Sequence, residues 1–248
     1  MPDLQDKRVV IIGGAGLLGS AFSRACAQRG ASVFVADIDE KKAGALAQEI
    51  GGRFEKVDIS DSTSVAALAK KVGAVDGVVN ASYPKTKNFG KPFKDAEVEH
   101  MLADLSLHIG GCLSIAKAFA PLMEKQKTGS IVFLGSIYGV VAPRFSIYEG
   151  TSMTIPAEYA AIKGGIIALT RYFASLFGPA GIRVNAISPG GIADKQPEQF
   201  VQNYSKHLKI GNGLLAPEDI AGAVVFLLSD DSKQMTGQNL IIDGGWTL

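Results

Sequence analysis

The chain has 248 residues, of which 47% are hydrophobic and 20% charged. This length and composition are typical of a globular protein with one large core and exclude an intrinsically disordered chain. Its 25 Lys and Arg residues balance 24 Asp and Glu residues, so no overall electric field attracts nucleic acid or a membrane surface. We therefore expect a single domain over residues 1–248 with no nucleic-acid partner.

The N-terminal segment and the cysteines bear on the cellular compartment. Met1 to Arg8 is polar, and the apolar run that follows reaches glycine after four residues. We expect neither a secretory signal nor a membrane span there. Cys26 and Cys112 lie in helical patterns without a neighbour at metal-ligand spacing, which predicts small buried thiols, no disulfide and no metal site. These features predict a cytoplasmic protein.

Short β-branched runs alternate with longer helical stretches along the chain. Strands are predicted at 8–12, 32–36, 54–57, 77–79, 130–134, 183–187 and 240–242. Helices are predicted at 17–29, 40–50, 62–72, 95–123, 158–177 and 217–228. Continuous apolar strands separated by helices indicate a parallel sheet covered on both faces. The predicted fold is therefore α/β: a doubly wound, single-domain Rossmann fold of about seven strands.

Three segments lack clear periodicity, at 82–94, 140–156 and 189–215. Each follows a predicted strand. In an open α/β sheet, the loops beyond the carboxyl ends of the strands form the ligand site. We therefore expect these three segments to surround a binding cavity.

The first predicted strand leads directly into a glycine-rich turn that opens a helix, Gly13-Gly14-Ala15-Gly16-Leu17-Leu18-Gly19. Glycines permit a tight turn and a close approach of backbone amides to a pyrophosphate, which the helix N-terminus favours electrostatically. A purely structural turn would use the same residues. The position between a strand and a helix favours a dinucleotide site.

Asp37 ends the second predicted strand, eighteen residues after Gly19. A carboxylate there can accept hydrogen bonds from both hydroxyls of an adenosine ribose and repels a 2′-phosphate. The alternative role is capping the next helix, for which Asp39 is better placed. The nearest basic residues, Lys41 and Lys42, already belong to that helix. The pattern therefore favours NAD over NADP.

Tyr159 and Lys163 lie four residues apart, on one face of a predicted helix. A phenol titrates near about 10, and an adjacent ammonium together with an oxidised nicotinamide ring would lower that pKa. Such a phenol can exchange a proton with a hydroxyl or carbonyl near neutral pH. In an arbitrary helix the same pair is more often a packed aromatic beside a solvated charge.

Further motifs follow in order along the chain, and together they carry a resemblance. They are the glycine-rich turn, Asn80-Ala81, Gly129-Ser130-Ile131-Val132 before Ser136, Tyr159 to Lys163, Arg183-Val184-Asn185-Ala186 before Pro189-Gly190, and Thr236-Gly237-Gln238 before Asp243-Gly244-Gly245. Over essentially its whole length the sequence resembles the short-chain dehydrogenase/reductase superfamily.

The resemblance implies roles for individual residues. Ser136 would hold the substrate oxygen, Tyr159 would be the acid/base, and Lys163 would lower the pKa of the tyrosine and bind the nicotinamide ribose. Asp58 would contact adenine, and the Pro189-Gly190 turn would lie against the nicotinamide. The predicted cofactor-binding residues are Gly13, Gly16, Leu17, Leu18, Gly19, Asp37, Ile38, Asp58, Ile59, Asn80, Ala81, Tyr159, Lys163, Pro189, Gly190 and Ile192.

The chain departs from the family pattern in three places. The glycine spacing from Gly13 is G-x-x-G-x-x-G, whereas short members more often have G-x-x-x-G-x-G. His108 stands where the family usually has a catalytic asparagine; it could relay protons or hold the same water, or it could merely pack. Ser136 and Tyr159 are separated by 23 residues, which is unusually long. The insertion, 143–156, is predicted to shape the substrate pocket.

Cations collect in the three irregular segments and suggest an anionic substrate, such as a phosphorylated or nucleotide-linked sugar. Surface lysines that only keep loops soluble would look the same. The residues are Lys85, Lys87, Lys91, Lys94, Arg144, Lys195, Lys206 and His207. The glycine turn, the loop 80–84 and the insertion also resemble oxidoreductases of flagellin modification and nonulosonic-acid sugar synthesis, which implies a hexose-derived substrate.

Three functions remain in competition at this point. The leading one is NAD-dependent interconversion of a secondary alcohol and a ketone on a sugar-derived substrate. The second is a sugar dehydratase or epimerase that regenerates its cofactor, and the third is a non-catalytic NAD-binding protein. The resemblance also implies a homodimer or homotetramer paired through the long helices at 95–123 and 158–177.

Overall fold

Within residues 3–248, which the computed structural model describes, seven strands form one parallel sheet. They are β1 (Arg8–Ile12), β2 (Ser32–Asp37), β3 (Arg53–Lys56), β4 (Gly77–Asn80), β5 (Gly129–Leu134), β6 (Ile182–Pro189) and β7 (Asn239–Ile242). Their order across the sheet is β3-β2-β1-β4-β5-β6-β7, and every neighbouring pair is parallel. The predicted doubly wound Rossmann fold is confirmed. Met1, and with it the start of the predicted polar N-terminal segment, lies outside the described residues.

Helices connect the strands, and most agree with the predicted positions. They are α1 (Leu17–Gln28), α2 (Glu40–Glu49), α3 (Ser62–Val72), α4 (Val98–Gln126), α5 (Ala157–Phe177), α6 (Glu198–Ser205) and α7 (Pro217–Leu228). As expected, Asp39 caps α2 by accepting a hydrogen bond from the Lys42 backbone N–H.

Two predictions about helices are wrong. The long helix predicted from residue 95 begins at Val98, because Phe93–Asp95 forms a separate 3₁₀ turn after Pro92. The segment 189–215, predicted to be irregular throughout, contains α6. Its apolar residues Phe200 and Tyr204 recur at the spacing of one helical turn and are buried.

The sheet is covered by a buried hydrophobic cluster on each face. One cluster contains residues of α3, α4 and α5, including Ile115, Phe119 and Ile166. The other contains residues of α1, α2 and α7, including Phe22 and Val224. Fully burying a side chain of this size contributes about 1.5–3 kcal/mol, so the two clusters are the main source of stability. Both thiols, Cys26 and Cys112, are free and buried in these clusters, as predicted.

A third cluster lies beyond the carboxyl ends of the strands. Ile137, Tyr138, Ile147, Phe200, Tyr204 and Trp246 form its buried part, which we call the aromatic cluster. It joins the inserted segment 143–156 to α6 and to the region after β7. The aromatic cluster therefore fixes the loops on the side of the sheet where a ligand site is expected.

Among residues 3–248, α4 and the stretch Ala157–Ala180 are long and apolar enough to cross a membrane by length and composition. Both pack against the sheet in this fold: Ile115 of α4 and Ile162 of α5 belong to the same buried cluster. Their apolar sequence is therefore accounted for by the core.

Candidate active site

A cavity of about 810 Å³ lies at the carboxyl ends of the strands. The predicted site residues that line it are Gly13, Gly16, Leu17, Leu18, Asp37, Ile38, Asp58, Ile59, Ala81, Ser136, Tyr159, Lys163, Pro189, Gly190 and Ile192. Gly19, Asn80 and His108 lie behind this lining. The fold thus brings most of the predicted residues together around one space of a size that accommodates a small-molecule ligand.

The glycine-rich turn is held by main-chain hydrogen bonds. The N–H groups of Gly13 and Gly14 both donate to the Ala36 carbonyl, at 2.8 and 3.1 Å. Gly13 has φ +73°, and a Cβ there would lie 2.6 Å from the Ser82 backbone N. Gly19 faces the turn, since its Cβ would collide with the Gly13 carbonyl oxygen. Gly19 therefore allows α1 to pack closely against the turn, whereas Gly13 and Gly16 line the cavity.

The N-terminus of α1 opens into the cavity. Gly16 is its N-cap, in extended conformation and without a side-chain cap, and Leu17 and Leu18 also line the space. The backbone N–H groups of a first helical turn have no partner within the helix, and the helix dipole adds partial positive charge. This end of the cavity can bind an anionic group such as a pyrophosphate.

Carboxylates at the ends of β2 and β3 line the same end of the cavity. Asp37 accepts hydrogen bonds from the Ala15 N–H at 2.9 Å and the Asp39 N–H at 3.0 Å. Asp58 accepts from the N–H and hydroxyl of Ser60 at 2.9 and 2.6 Å. Each carboxylate keeps acceptor capacity for a ligand hydroxyl, because a carboxylate has about four lone-pair sites.

Asn80 supports the site from behind. It is buried, and its Oδ1 accepts hydrogen bonds from the N–H and hydroxyl of Ser82, at 3.2 and 2.6 Å. Its amide nitrogen lies 3.5 Å from the sulfur of Cys112. Asn80 therefore shapes the loop after β4, the part of the lining that contains Ala81.

Ser136, Tyr159 and Lys163 meet at the opposite end of the cavity. Ser136 follows β5, and its hydroxyl accepts a hydrogen bond from the Tyr138 N–H at 3.2 Å. Tyr159 lies in the first turn of α5, with Lys163 one turn later. The Lys163 ammonium donates to the Leu134 carbonyl at 2.9 Å and lies 5.6 Å from the centre of the Tyr159 ring.

Burial dominates the pKa values of this group. It raises the pKa of Tyr159, and the hydrogen bond with Ser136 partly offsets that rise. Burial also lowers the pKa of Lys163 to about 8. Among the protein's own groups, only burial and the Ser136 hydrogen bond shift the pKa of Tyr159, and the lowering expected from Lys163 is not seen without the cofactor. The expectation also included the positive charge of an oxidised nicotinamide ring, which is present only when the cofactor is bound.

His108 lies on α4 behind Tyr83, whose ring centre is 5.3 Å from its own. It is only 5% exposed, and its Nε2 has no hydrogen-bond partner among the described residues. Burial, followed by the charge of Lys163, lowers the pKa of His108 to about 4. The imidazole is therefore neutral near pH 7, with one ring nitrogen free to accept a hydrogen bond.

A family model described as enoyl-(acyl carrier protein) reductase matches residues 14–247. The chain belongs to the short-chain dehydrogenase/reductase superfamily. The match covers nearly the whole chain, including Ser136, Tyr159 and Lys163 and all of the glycine turn after Gly13. This short-chain dehydrogenase/reductase is an oxidoreductase.

Relatives of this short-chain dehydrogenase/reductase share its full length. It is 38% identical to post-translational flagellin modification protein A of Campylobacter coli, over 99% of this chain and 100% of that protein. It is 30% identical to D-xylose 1-dehydrogenase of Caulobacter vibrioides, over 99% of this chain and 97% of that one. A structure of a short-chain dehydrogenase from Leptospira borgpetersenii with bound NAD⁺ matches with TM-score 0.84 and 32% identity, over 99% and 94% of the chains. The predicted resemblance to flagellin-modification proteins is confirmed.

Part of the cavity wall of this short-chain dehydrogenase/reductase was missed from the sequence. Tyr138, Tyr148, Phe200 and Tyr204 line the cavity beside Ser136. Tyr148 belongs to the predicted pocket-shaping insertion, and the spacing of Phe200 and Tyr204 is a weak helical signal. Nothing in the local sequence indicates that these rings share one wall, because their contacts are long-range.

The eight basic residues that suggested an anionic substrate do not gather at the cavity. Of the eight, only Lys85 lines the cavity within residues 3–248. Its ammonium lies 4.5 Å from the centre of the Tyr83 ring. Arg144 lies over Trp246 at 4.9 Å, with Nη1 2.9 Å from the Nδ1 of His207. Of the cations that suggested an anionic substrate, only Lys85 is therefore placed to contact one in the cavity.

Proposed function

We propose that this protein interconverts a secondary alcohol and a ketone on a sugar-derived substrate, using NAD(H). One observation carries the proposal: Ser136, Tyr159 and Lys163 meet at one end of a cavity whose other end is lined by the glycine turn and Asp37. A substrate oxygen between Ser136 and Tyr159 would thus lie in the same space as the dinucleotide. The likeness to a structure with bound NAD⁺ supports the cofactor class.

The residues present fit a nicotinamide dinucleotide. The cradle at Gly13 leaves no room for a Cβ, which is expected where a backbone approaches a pyrophosphate. The Asp37 carboxylate is suited to ribose hydroxyls and repels a 2′-phosphate. Lys42, in the helix that follows, is paired with Asp39 at 2.9 Å. These features favour NAD over NADP. When bound, the cofactor supplies hydride transfer.

The chain's own groups hold the substrate and move the proton. Ser136 holds the reacting oxygen by a hydrogen bond. Tyr159 takes the proton from the alcohol in oxidation and returns it to the ketone in reduction. The ammonium of Lys163, fixed by the Leu134 carbonyl, favours the phenolate form of Tyr159. We place His108 as a positioning group, whose neutral Nε2 accepts a hydrogen bond from a water or relays a proton next to Lys163.

One relative supports a sugar as the substrate class, because it is named D-xylose 1-dehydrogenase. An anionic substituent, such as a phosphate, would find Lys85 at the cavity wall. No nucleic-acid partner is proposed, because the chain carries 25 basic and 24 acidic residues.

We also propose a cytoplasmic homodimer or homotetramer paired through α4 and α5. Leu102 and Leu113 on α4 and Leu176 on α5 are 57%, 47% and 54% exposed, which is unusual for leucine. Sedimentation analysis of Leu113→Asp tests the assembly: dissociation supports it, and an unchanged mass contradicts it. Two buried free thiols are consistent with a reducing compartment.

The first experiment measures NADH formation from NAD⁺ with free, phosphorylated and nucleotide-linked hexoses. Tyr159→Phe should lower turnover by about 10²–10⁴-fold, the usual contribution of a general acid/base, with NAD⁺ affinity unchanged. Tyr172→Phe, at an exposed position on α5, is the matched control. Persistent turnover in Tyr159→Phe would show that another group moves the proton. Product formation without net NADH would favour a dehydratase or epimerase.

A further inference from the structure

Two phenol hydroxyls meet on the cavity wall beside Ser136. The hydroxyl of Tyr148 donates to that of Tyr138 at 3.2 Å, and both residues line the cavity. Tyr138 is two residues from Ser136, and its N–H donates to the Ser136 hydroxyl at 3.2 Å. The phenol pair is thus tied to the group proposed to hold the reacting oxygen.

The pair has hydrogen-bonding capacity that the protein leaves unused. Two hydroxyls have two protons, and only one of them lies between Tyr148 and Tyr138. The second proton and the remaining lone pairs have no partner among residues 3–248. Burial raises the pKa of both phenols, so both stay protonated near neutral pH. The pair can therefore donate one hydrogen bond and accept another at the same place.

The position of Tyr148 is fixed from several sides. The Asn203 amide on α6 donates to the carbonyls of Ile147 and Glu149 at 3.3 and 3.2 Å. The Thr151 hydroxyl donates to the Tyr148 carbonyl at 2.8 Å, and the Phe200 ring centre lies 5.4 Å from that of Tyr148. A hydroxyl held in this way binds a ligand without losing much conformational entropy.

Tyr159 lies next to the pair. Its ring is nearly perpendicular to that of Tyr138, at 81°, with the ring centres 6.4 Å apart. A substrate whose oxygen lies between Ser136 and Tyr159 can therefore place an adjacent carbon near the phenol pair, because Tyr138 contacts both of these residues. A hydroxyl on that carbon is both donor and acceptor, which complements the unused capacity of the pair.

We propose that Tyr138 and Tyr148 bind a second substrate hydroxyl on the carbon next to the reacting one. The substrate is then a vicinal diol, and the product an α-hydroxyketone. In oxidation the reacting carbon loses its hydride to NAD⁺, its hydroxyl proton passes to Tyr159, and the neighbouring hydroxyl is unchanged. The inference rests on the proposed function, since Ser136 and Tyr159 define which oxygen reacts.

The test compares NADH-dependent reduction of 2-hydroxycyclohexanone with that of cyclohexanone. The wild-type protein should prefer the hydroxyketone by about tenfold or more in kcat/KM. Cyclohexanone lacks the second hydroxyl and would leave the Tyr138 and Tyr148 hydroxyls unpaired. Tyr148→Phe keeps the ring against Phe200 and removes only the hydroxyl, so the preference should fall several-fold. Tyr172→Phe should keep the wild-type preference, and thermal melting confirms that the variants fold.

Each other outcome has a separate meaning. Equal reduction of both ketones by the wild-type protein, or an undiminished preference in Tyr148→Phe, would overturn the inference and leave the proposed function standing. Reduction of neither ketone would count against the proposed alcohol/ketone chemistry itself, and the inference would fall with it.

Discussion

The two ends of the cavity are built in different ways. At the cofactor end, hydrogen bonds of main-chain groups hold the lining in place. The Gly13 and Gly14 N–H groups donate to the Ala36 carbonyl, and Asp37 accepts from backbone N–H groups. At the substrate end, side chains of the insertion, α6 and the region after β7 pack on one another. A main-chain scaffold tolerates few substitutions, whereas a wall of side chains can be altered residue by residue.

The largest effect on cofactor binding is expected where the main-chain scaffold is tightest. In Gly19→Ala, the new methyl group meets the Gly13 backbone, which cannot yield as a flexible side chain can. We expect a stability loss of about 1–3 kcal/mol and at least about tenfold weaker NAD⁺ binding, because α1 must move away from the turn. Chemical denaturation and calorimetric titration measure the two effects.

Gly44→Ala is the matched control. Gly44 lies within α2, and a Cβ there meets nothing within 4 Å. This change should stabilise the protein by about 0.5–1 kcal/mol, since alanine favours helix, and should leave NAD⁺ binding unchanged. If Gly19→Ala bound NAD⁺ as tightly as the wild type, the role given to the α1–turn contact would be wrong.

The next prediction concerns His108, which lies on α4 against Tyr83. Its pKa of about 4, below the ordinary 6.5, means that the unfolded chain binds more protons between these values. The stability contributed by the neutral imidazole is complete above about pH 6.5 and is lost as pH falls toward 4, by about 2–3 kcal/mol. His108→Asn should show a smaller loss over this range. Urea denaturation at pH 7 and pH 4.5 measures the difference, and equal losses in both proteins would refute it.

A third change tests the polar lining of the cofactor end. Asp37→Ser removes the charge that disfavours a 2′-phosphate, and the ratio of NADP to NAD affinity should rise by about tenfold. Asp39→Ser removes a carboxylate that does not line the cavity and keeps a hydroxyl that can cap α2, so neither the fold nor this ratio should change much. Binding titrations with both cofactors give the ratio. A shift of equal size in the two variants would assign the preference to overall charge.

The smallest effect is expected at the substrate end. Asn203→Ala removes the hydrogen bonds that join α6 to the carbonyls of the insertion. The substrate KM should rise a few-fold, with NAD⁺ affinity unchanged, since each such bond is worth about 0.5–1.5 kcal/mol. Gln202→Ala, which loses only a bond to Glu198 within α6, is the control. A matching fall in NAD⁺ affinity would mean that the two ends are not independent.

The contrast between the ends also explains what the sequence could predict. The strands and the glycine turn are local patterns, so β1, α1 and β2 lie close to where they were predicted. Tyr159 and Lys163 are four residues apart on one helix, and their common face follows from helical periodicity alone.

The substrate end could not be predicted in the same way. Arg144 bonds His207 63 residues later, and Asn203 bonds Ile147 56 residues earlier, so no local pattern reveals either contact. α6 is short and is stabilised by packing of Phe200 and Tyr204 into the aromatic cluster. The basic residues in the loops also did not predict the lining of the cavity. The sequence places a lysine in a loop but does not show whether its side chain faces the cavity or solvent.

The fully buried Trp246 lies near the C-terminal end of the sequence, so the two ends of the cavity are synthesised at different times. β1, β2, β3 and β4, which lead to the glycine turn, Asp37, Asp58 and Ala81, are all translated early in the chain. The stacking of Trp246 on Tyr204 and its contact with Arg144 require a segment made much later. The wall at the substrate end is therefore complete only after the last strand and the residues that follow it have been made.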